Sequence, residues 1–408
     1  MSVRKRKWKT SAGFEREAWV VDYVDQQGKR ILKTFEKKKD ADAFSASARI
    51  EVIEGTHVAD SSSITVEDAG KLWMTSLEAS DPPLEITTVE QYEQHLRLHI
   101  NPFLGRTKLS KLNVPTVRSF ADRLRDEGRS GTMVRYILRT LGGLLSDSQE
   151  RGLLVRNPVR EMRERRKGRK RKADGQDRRG RKLQVGVDIP TPDEIRLIIA
   201  AAPTSKRPLL LTEIFTGLRS SELRGLRWKD IDLKNAELHV RQRADKYREI
   251  GPPKTEAGER TIPLPPMVVS ALREWKLACP KGPLDLAFPN GKGNVEFHVN
   301  LIQRILWPLQ IAAGVTRPVP DDQGAPQRDT DGNPVVEAKY PGLHALRHFY
   351  ASWCINRKQD GGLELPPKSV QQRMGHSSIV VTMDTYGHLF PRSDDGAELA
   401  AAEAALLS

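Results

Sequence analysis

The sequence has 408 residues, of which 38% are hydrophobic and 29% charged, and its formal net charge at pH 7 is +14. This length predicts two or three domains, and no apolar stretch approaches the roughly 18 residues that a membrane-spanning helix needs. Two cysteines exclude a disulfide framework and a thiolate metal site, and they fit a reducing cytoplasm. The positive charge favours a polyanionic partner, either nucleic acid or an anionic membrane surface.

The first sixty residues predict a small sheet followed by a helix. Strands are predicted over residues 3–9, 17–24 and 30–35, and a helix over residues 37–54. Because a small β-sheet can enter a DNA major groove, the basic residues here are candidate DNA ligands. They are Arg4, Lys5, Arg6, Lys7, Lys9, Lys29, Arg30 and Lys33. The alternative is a charged surface that only keeps a minor domain soluble.

Residues 61–158 predict a helical domain, because apolar stripes recur at helical spacing between capping residues. Helices are expected to begin near residues 65, 87, 115 and 130. Asn101 and Pro102 are expected to end the second of them. The scattered lysines and arginines of this region suit a DNA-facing surface and an ordinary solvated helix face equally well.

Residues 159–186 predict a basic linker. Between residues 160 and 182 there are thirteen Lys or Arg and four acidic residues with almost no apolar content, which is typical of an extended segment. Its charge would follow a phosphate backbone and make binding depend on salt. The candidate DNA ligands here are Arg165, Arg166, Lys167, Arg169, Lys170, Arg171 and Lys172. A nuclear-targeting signal is the alternative.

A third domain is predicted from residue 187 onward. Short strands are expected over residues 236–242 and 260–264, and the loop between them contains Lys254, which is either a site residue or merely solvated. Residues 317–339 are polar and rich in Pro, Gly and Asp, so a flexible insertion is expected there. The chain ends in an alanine- and leucine-rich helix whose apolar face needs a partner surface.

Arg219 lies in a sequence that predicts an anion site. An apolar helix leads into the turn Thr216-Gly217-Leu218-Arg219, and Ser220 or Ser221 is expected to cap the helix that follows. Arg219 is thereby placed at a helix N-terminus, where backbone N–H groups and the helix dipole favour a negative charge.

The stretch from residue 344 to residue 386 carries the strongest chemical signal. It supplies His344, Arg347, His376 and Tyr386, to which Arg219 adds a second arginine. Two arginines, two histidines and a tyrosine, without a cysteine or carboxylate cluster, predict a phosphodiester site. The arginines would hold the phosphate, the histidines would move protons and the tyrosine would attack.

Two other chemistries are disfavoured by the residues. His344 and His348 have the spacing of two metal ligands on one helix, but no glutamate lies between them and Arg347 would repel a cation, so no metal site is predicted. The sequence also has no GxxxxGK[ST] motif, which argues against ATP hydrolysis.

These motifs together resemble the tyrosine recombinase family, specifically phage-type integrases with an N-terminal arm-binding domain. The likeness rests on TGLRSSEL (216–223), PKT (253–255), RTIPL (260–264), HALRH (344–348) and the stretch from Gly375-His376 to Tyr386. It covers nearly the whole chain in order. The basic linker and the 317–339 insertion depart from the family pattern by their length.

The resemblance implies a multidomain fold that is mainly α with small β elements. Its expected parts are an arm-type DNA-binding domain of a three-stranded sheet plus a helix (1–60), a helical core-binding domain (61–158), the basic linker (159–186), an α+β catalytic domain (187–390) and a C-terminal tail helix (391–408).

The resemblance also implies how the strand is cut. Tyr386 would attack the scissile phosphate and form a 3′-phosphotyrosyl link. Arg219 and Arg347 would bind the non-bridging oxygens, and Lys254 would protonate the leaving 5′-oxygen.

The remaining site residues have supporting roles in the same resemblance. His344 would act on the proton of Tyr386, and His376 would hydrogen-bond the phosphate. Glu222 would support the site from behind, and His348 is taken as structural or as a less certain participant.

The function implied is integration, and excision with accessory factors, of a phage or mobile element through a Holliday junction. The expected partners are double-stranded DNA with arm-type and core-type attachment sites and a homotetramer on DNA, with a host DNA-bending protein and a directionality factor as possible additions. No cofactor and no membrane are expected, and the expected location is the cytoplasm of a bacterial host, on the nucleoid. A tyrosine-type topoisomerase and a non-catalytic DNA-binding regulator are the alternatives.

Overall fold

The computed structural model describes residues 1–9, 14–24, 28, 30–53, 63–163, 182–321, 323–391 and 395–407. The chain divides into two compact units, Met1–Gly175 and Gln176–Ser408. Helices predominate and the strands form small antiparallel sheets, which confirms the predicted fold class. Within the described ranges, no helix has the length and apolar content that a membrane span requires.

Eight of the predicted DNA ligands lie outside the described residues. They are Lys29, Arg165, Arg166, Lys167, Arg169, Lys170, Arg171 and Lys172.

The N-terminal part of the first unit is a three-stranded antiparallel sheet followed by a helix. The elements are β1 (Ser2–Lys9), β2 (Glu15–Val24), β3 (Arg30–Phe35) and α1 (Lys38–Ile53). The strand order is β1-β2-β3. Side chains alternate along β2, so Val21 and Tyr23 share the face that packs on Ala41 and Phe44 of α1. These elements agree with the sequence prediction.

Helices surround a second core in the first unit. Five of them are α2 (Val66–Glu78), α3 (Ile86–His95), α4 (Asn101–Leu104), α5 (Val114–Asp126) and α6 (Gly131–Glu150). Residues 158–163 are also helical and add Val159 and Met162 to the core. Thr65, Asn113 and Ser130 cap three of them, since each side-chain oxygen accepts a hydrogen bond from a backbone N–H three residues on.

One helix boundary differs from the prediction. The chain does not end its helix at Asn101 and Pro102 but continues through a π-helical turn, Leu96–Ile100, into α4. Pro102 lies in the first turn of α4, where a missing N–H leaves no helical hydrogen bond unmade. A proline here therefore starts a turn instead of stopping one.

Helices and short strands of the second unit surround one large core, to which the described residues of the C-terminal helix contribute no side chain. Its helices are α7 (Pro192–Ala201), α8 (Arg207–Thr216), α9 (Ser220–Gly225), α10 (Pro266–Ala278), α11 (His298–Leu301), α12 (Trp307–Ala312), α13 (His344–Ile355), α14 (Pro367–Met374), α15 (Ile379–Tyr386) and α16 (Asp395–Leu407). A π-helical turn, Ile302–Leu306, joins α11 to α12.

The strands of the second unit are all short. They are β4 (Ile231–Asp232), β5 (Glu237–Val240), β6 (Arg243–Ala244), β7 (Ile250–Gly251), β8 (Arg260–Pro263), β9 (Thr316–Pro318) and β10 (Val336–Ala338). β5 lies between β4 and β8 in an antiparallel sheet, and β6 pairs with β7. The two predicted strands are thus β5 and β8, and the loop from β7 to β8 carries Lys254.

The insertion expected to be flexible is folded as a hairpin. β9 pairs with β10, and the chain between them is tied by backbone hydrogen bonds from Gln327 to Val319 and from Val335 to Gln327, each of 2.8 Å. Asp329 Oδ1 closes one of its turns by accepting bonds from two backbone N–H groups. The prediction was wrong because Asp-x-x-Gly sequences form defined turns as well as loops.

Candidate active site

Side chains from four segments of the second unit converge on one site. They are Arg219 and Glu222 at the start of α9, His344, Arg347 and His348 on α13, His376 after α14, and Tyr386 at the end of α15. Two left-handed glycines bring the segments close, Gly217 with φ of 58° and Gly375 with φ of 61°. A side chain at Gly217 would collide with the ring of Tyr350, so the approach of α8 to α13 requires glycine.

Glu222 joins two arginines within the site. Its Oε1 accepts a hydrogen bond from Arg219 Nη1 at 2.7 Å, and its Oε2 accepts one from Arg260 Nη2 at 2.7 Å. Its carboxylate is almost completely buried, with 4% of the side chain exposed. A buried carboxylate held by two guanidiniums fixes both of them in place.

The cap of α9 differs from the prediction of Ser220 or Ser221. Arg219 is the N-cap residue, and its backbone N–H donates to Glu222 Oε2 at 2.9 Å. Ser220 Oγ lies instead 2.5 Å from Nδ1 of His298. The serine prediction was wrong because the glutamate three residues into the helix satisfies this N–H.

Backbone carbonyls hold the two arginines that were predicted to bind phosphate. Arg347 is buried and donates to the carbonyl oxygens of Gly217 and Met374. Arg219 Nη2 donates to the carbonyl oxygen of Gly375 at 2.9 Å. A guanidinium has five N–H donors, so each arginine retains donors beyond the ones used in these bonds.

Tyr386 lies among three histidines. It is 1% exposed, and its hydroxyl oxygen lies 2.7 Å from Nδ1 of His348. The ring of His376 is nearly parallel to that of Tyr386, with centroids 6.2 Å apart, and its Nδ1 lies 2.9 Å from Thr382 Oγ1. His344 meets His348 edge to face at a centroid distance of 5.5 Å. In this arrangement His348, not His344, contacts the tyrosine hydroxyl.

The three histidines are uncharged at neutral pH. Burial, with smaller contributions from His344 and Arg347, lowers the pKa of His348 to about 4. Loss of hydration and nearby arginines likewise lower the pKa of the half-buried His376 to about 4, and they shift the pKa of the more exposed His344 downward. Each ring can therefore accept a hydrogen bond or a proton at neutral pH.

The charged groups of the site leave an excess of positive charge. Burial would raise the pKa of Glu222, but Arg260 and Arg219 lower it to about 2, so this carboxylate is ionised. Burial lowers the pKa of Arg347 to about 10, which leaves it charged at neutral pH. Three guanidiniums and one carboxylate give 3 − 1 = +2 for this group. Burial raises the pKa of Tyr386 to about 12, so attack requires removal of its proton.

Lys254 is separate from this network. It is exposed at a bend in the loop from β7 to β8, and its ammonium makes no hydrogen bond or ion pair with any described residue. The loop is nevertheless tied to the site, because Arg260 at the start of β8 donates to Glu222.

The basic residues of the N-terminal sheet fall on both of its faces. Lys33 lies on the side of α1, where its Nζ is 4.2 Å from the ring centroid of Phe44. Arg4, Arg6 and Arg30 alternate to the opposite side. The structure therefore does not gather the predicted basic residues on a single face.

Other cations of this sheet are paired with carboxylates or exposed. Lys5 and Lys7 lie 2.8 and 3.5 Å from the carboxylate oxygens of Glu17, and Lys9 is exposed.

Sequence reasoning missed two residues of the site. His348 was left as a less certain residue, although its position one helical turn after His344 was an available signal. Arg260 appeared only as part of a strand motif. Its partners Glu222 and Arg373 lie 38 and 113 residues away, so no local pattern could have shown the contacts.

Comparison with known proteins identifies the family. Residues 190–392 match the model of the phage integrase family, and residues 65–125 match the phage integrase N-terminal SAM-like domain. The chain therefore belongs to the phage integrase family, and it is a tyrosine recombinase, as the motifs predicted.

Individual relatives agree with this assignment. The tyrosine recombinase XerC-like protein of Caldanaerobacter subterraneus subsp. tengcongensis is 26% identical over 401 residues, which are 91% of this chain and 92% of that protein. The Tn1549 transposon integrase in complex with transposon right end DNA is 19% identical, with a TM-score of 0.60 over 84% of this chain and 100% of that one. A lambda integrase tetramer bound to a Holliday junction is 17% identical, with a TM-score of 0.52 over 91% of this chain and 95% of that one. The Tn1549 and lambda integrase structures share the fold of this chain.

Proposed function

We propose that this protein integrates, and with accessory factors excises, a phage or other mobile element by cutting and rejoining DNA at specific sites. The observation that supports this most directly is the 2.7 Å contact between a buried tyrosine hydroxyl and the Nδ1 atom of a neutral histidine, in a site with two arginines held by backbone carbonyls. A tyrosine hydroxyl beside a neutral imidazole is suited to attack a phosphodiester once the DNA reaches it.

In the first step, Tyr386 Oη attacks the scissile phosphorus and its proton passes to Nδ1 of His348. The bond from phosphorus to the 5′-oxygen breaks as the new bond forms, which leaves a 3′-phosphotyrosyl link and a free 5′ end. Lys254 supplies the proton that the leaving 5′-oxygen needs to become a hydroxyl. Its exposed loop allows it to approach DNA.

Arg219 and Arg347 stabilise the transition state by donating to the non-bridging oxygens of the phosphate. Negative charge builds up there during attack, and preorganised donors lower the energy of that charge without reorganising. Glu222 orients Arg219, and we assign hydrogen bonding of the phosphate to His376. His344 packs against His348 and supports the orientation of its ring.

The covalent link conserves the energy of the broken bond, so rejoining needs no cofactor. A 5′-hydroxyl from a second duplex attacks the phosphotyrosine, releases Tyr386 and creates a recombinant strand. Two such exchanges pass through a Holliday junction. By likeness to lambda integrase, which was solved as a tetramer on such a junction, we assign a homotetramer on DNA to this protein.

The other segments are assigned to DNA recognition and assembly. We propose that residues 1–60 bind arm-type sites, that residues 61–158 and the linker 159–186 grip core-type sites, that residues 187–390 catalyse, and that residues 391–408 contact a neighbouring protomer. The relatives come from bacteria, and we place this protein on the nucleoid in the cytoplasm of a bacterial host.

The test is a covalent adduct. The wild type and Tyr386→Phe are expressed in a host that carries the element's own DNA, the cells are denatured, and DNA attached to the protein is sequenced. Adducts from the wild type alone, mapped to the crossover point, are expected. Adducts from both proteins would show that Tyr386 is not the nucleophile, and adducts from neither would favour a DNA-binding regulator. Relaxation of supercoils without any recombinant product would favour a topoisomerase.

A further inference from the structure

The last turn of α14 and the glycine after it present three consecutive carbonyl oxygens to three different arginines. The pairs are Arg260 Nε with the Arg373 oxygen at 2.8 Å, Arg347 Nη2 with the Met374 oxygen, and Arg219 Nη2 with the Gly375 oxygen at 2.9 Å. Two of these arginines are the predicted phosphate ligands. The third, Arg260, has no role in the reaction described above.

These carbonyls are available because of the way in which α14 ends. Gly375 adopts a left-handed conformation, and the N–H groups of Gly375 and His376 turn back to the carbonyls of Gln372 and Gln371 at 3.0 and 3.2 Å. The next three carbonyls therefore have no helical partner and carry the negative end of the helix dipole. That negative end offsets the mutual repulsion of three neighbouring guanidiniums.

Arg260 connects three parts of the site at once. Its side chain is 5% exposed, and it donates to both oxygens of Glu222, at 3.2 and 2.7 Å, besides the Arg373 oxygen. It also lies at the start of β8, directly after the loop of Lys254. A Cβ on Gly375 would lie 2.8 Å from Nη1 of Arg260, so the absence of a side chain at Gly375 leaves room for the Arg260 guanidinium.

We propose that Arg260 is a positioning residue for the cleavage reaction. It holds Glu222 and the end of α14 in a fixed relation, so that Arg219 faces the same phosphate as Arg347. It acts through Glu222 and Arg219 and touches no DNA. This inference rests on the function proposed above.

The role requires the fork of a guanidinium and not only its charge. Nε and the two terminal nitrogens of Arg260 bond in different directions, to a carbonyl and to a carboxylate. A lysine offers one ammonium on a flexible stem and cannot span both partners. Lysine at position 260 is therefore expected to keep the charge and lose the geometry.

The experiment compares Arg260→Lys and Arg260→Gln with the wild type on a duplex built around the crossover point mapped from the covalent adduct. The duplex carries a nick close to that point, so that cleavage is trapped and its single-turnover rate is measured. The matched control is Arg227→Gln, because Asp230 is likewise buried between two arginines, Arg227 at 3.1 Å and Arg241 at 3.5 Å. Thermal unfolding of each variant reports folding.

A second duplex carries a methylphosphonate at the scissile position, in which a methyl group replaces one charged non-bridging oxygen. Such a phosphate has less need of a correctly placed Arg219. A defect that acts through Arg219 shrinks on this substrate, whereas a defect of folding or of Tyr386 persists on both.

Both Arg260 variants are expected to cleave the ordinary duplex about 100-fold more slowly, which is the order of loss that a misplacement near 1 Å produces. On the methylphosphonate duplex, the loss of cleavage rate relative to the wild type should be at least about tenfold smaller for each variant. This substrate lacks the charged oxygen that a correctly oriented Arg219 would otherwise stabilise. Arg227→Gln should change neither rate materially. Arg260→Lys at the wild-type rate, or equal losses on both duplexes, would overturn the proposal. Failure of the wild type to form any adduct would instead overturn the proposed function.

Discussion

The carboxylates of Asp22 and Glu222 are each bridged by two arginines, in very different surroundings. Asp22 of the N-terminal sheet lies 3.1 Å from Arg4 and 2.6 Å from Arg30, whose side chains are 56% and 65% exposed. Glu222 lies 2.7 Å from Arg219 and from Arg260, and the latter is 5% exposed.

The two bridges differ in how easily water or another anion can replace the carboxylate as the partner of the arginines. An exposed ion pair contributes about 0–1 kcal/mol, because water and salt screen it, so its arginines can exchange the carboxylate for another anion. A buried pair cannot be broken without leaving a charge uncompensated. The arginines at Asp22 can therefore exchange the carboxylate for another anion. The arginines at Glu222 instead stay fixed in the candidate active site.

The largest expected effect comes from neutralising the buried carboxylate. Glu222→Gln leaves Arg260 without its counter-charge, and the free energy of unfolding should fall by about 3–5 kcal/mol, as when one partner of a buried pair is removed. Urea denaturation measures this, and cleavage by the fraction that remains folded should also fall. A loss below 1 kcal/mol would show that the two bridges are equivalent.

A second contrast concerns the half-buried His348 and the buried His95, each of which meets a hydroxyl through Nδ1. His348 lies 2.7 Å from Tyr386 Oη, and His95 lies 2.8 Å from Thr140 Oγ1 in the helical core. His348→Ala should slow single-turnover cleavage about 100-fold, the usual order for a general base. His95→Ala should cost stability alone. Faster cleavage by His348→Ala would mean that His348 restrains Tyr386 instead of taking its proton.

The pH dependence of stability should separate the half-buried His348 and His376 from exposed histidines. The pKa of His348 and of His376 is about 4 in the folded chain, below the ordinary value. At pH values between about 4 and the ordinary pKa of histidine, the unfolded chain binds more protons than the folded chain. The free energy of unfolding therefore falls as the pH drops from 7 toward 4. Each histidine should contribute about 1 kcal/mol of loss between pH 7 and pH 5, after allowance for partial exposure. Urea titrations at both pH values measure this, and a flat profile in that window would contradict the lowered pKa of the two rings.

The smallest expected effect lies at the exposed bridge. Asp22→Asn removes the competitor for Arg4 and Arg30, so binding to a short duplex should tighten a few-fold at low salt. Each arginine freed to neutralise a phosphate should steepen the slope of log affinity against log salt by up to about 1. Fluorescence anisotropy at several salt concentrations measures both, while the unfolding free energy should hardly change. Weaker binding would show that Asp22 orients the arginines for DNA.

Local signals predicted a good part of this molecule. Strand alternation and turn residues predicted the N-terminal sheet, and Thr191 with Glu194 forms the predicted capping box at α7. These features depend on neighbours in the sequence. The hairpin at 316–338 and the N-cap of α9 were mispredicted because the same turn and cap residues permit more than one local solution.

The candidate site likewise contains residues that local motifs predicted and contacts that no local motif could predict. The residues Arg219, His344, Arg347, His376 and Tyr386 were nominated from motifs, and the structure brings them together. The contacts of His348 with Tyr386 and of Arg260 with Arg373 join residues 38 and 113 positions apart. Such pairs depend on how α13, α14 and β8 pack, which no periodicity records.

The burial of Tyr386 has a consequence for fidelity. Tyr386 is 1% exposed, so the attack proposed for its hydroxyl requires α15 to shift before a strand is cut. Uncovering a large side chain costs about 2–3 kcal/mol, and only contacts made elsewhere with DNA can offset that cost. A duplex that satisfies only some of those contacts is held and released intact. On the proposed mechanism, cleavage is therefore expected to be more selective than binding, so that the many imperfect sites of a chromosome are spared.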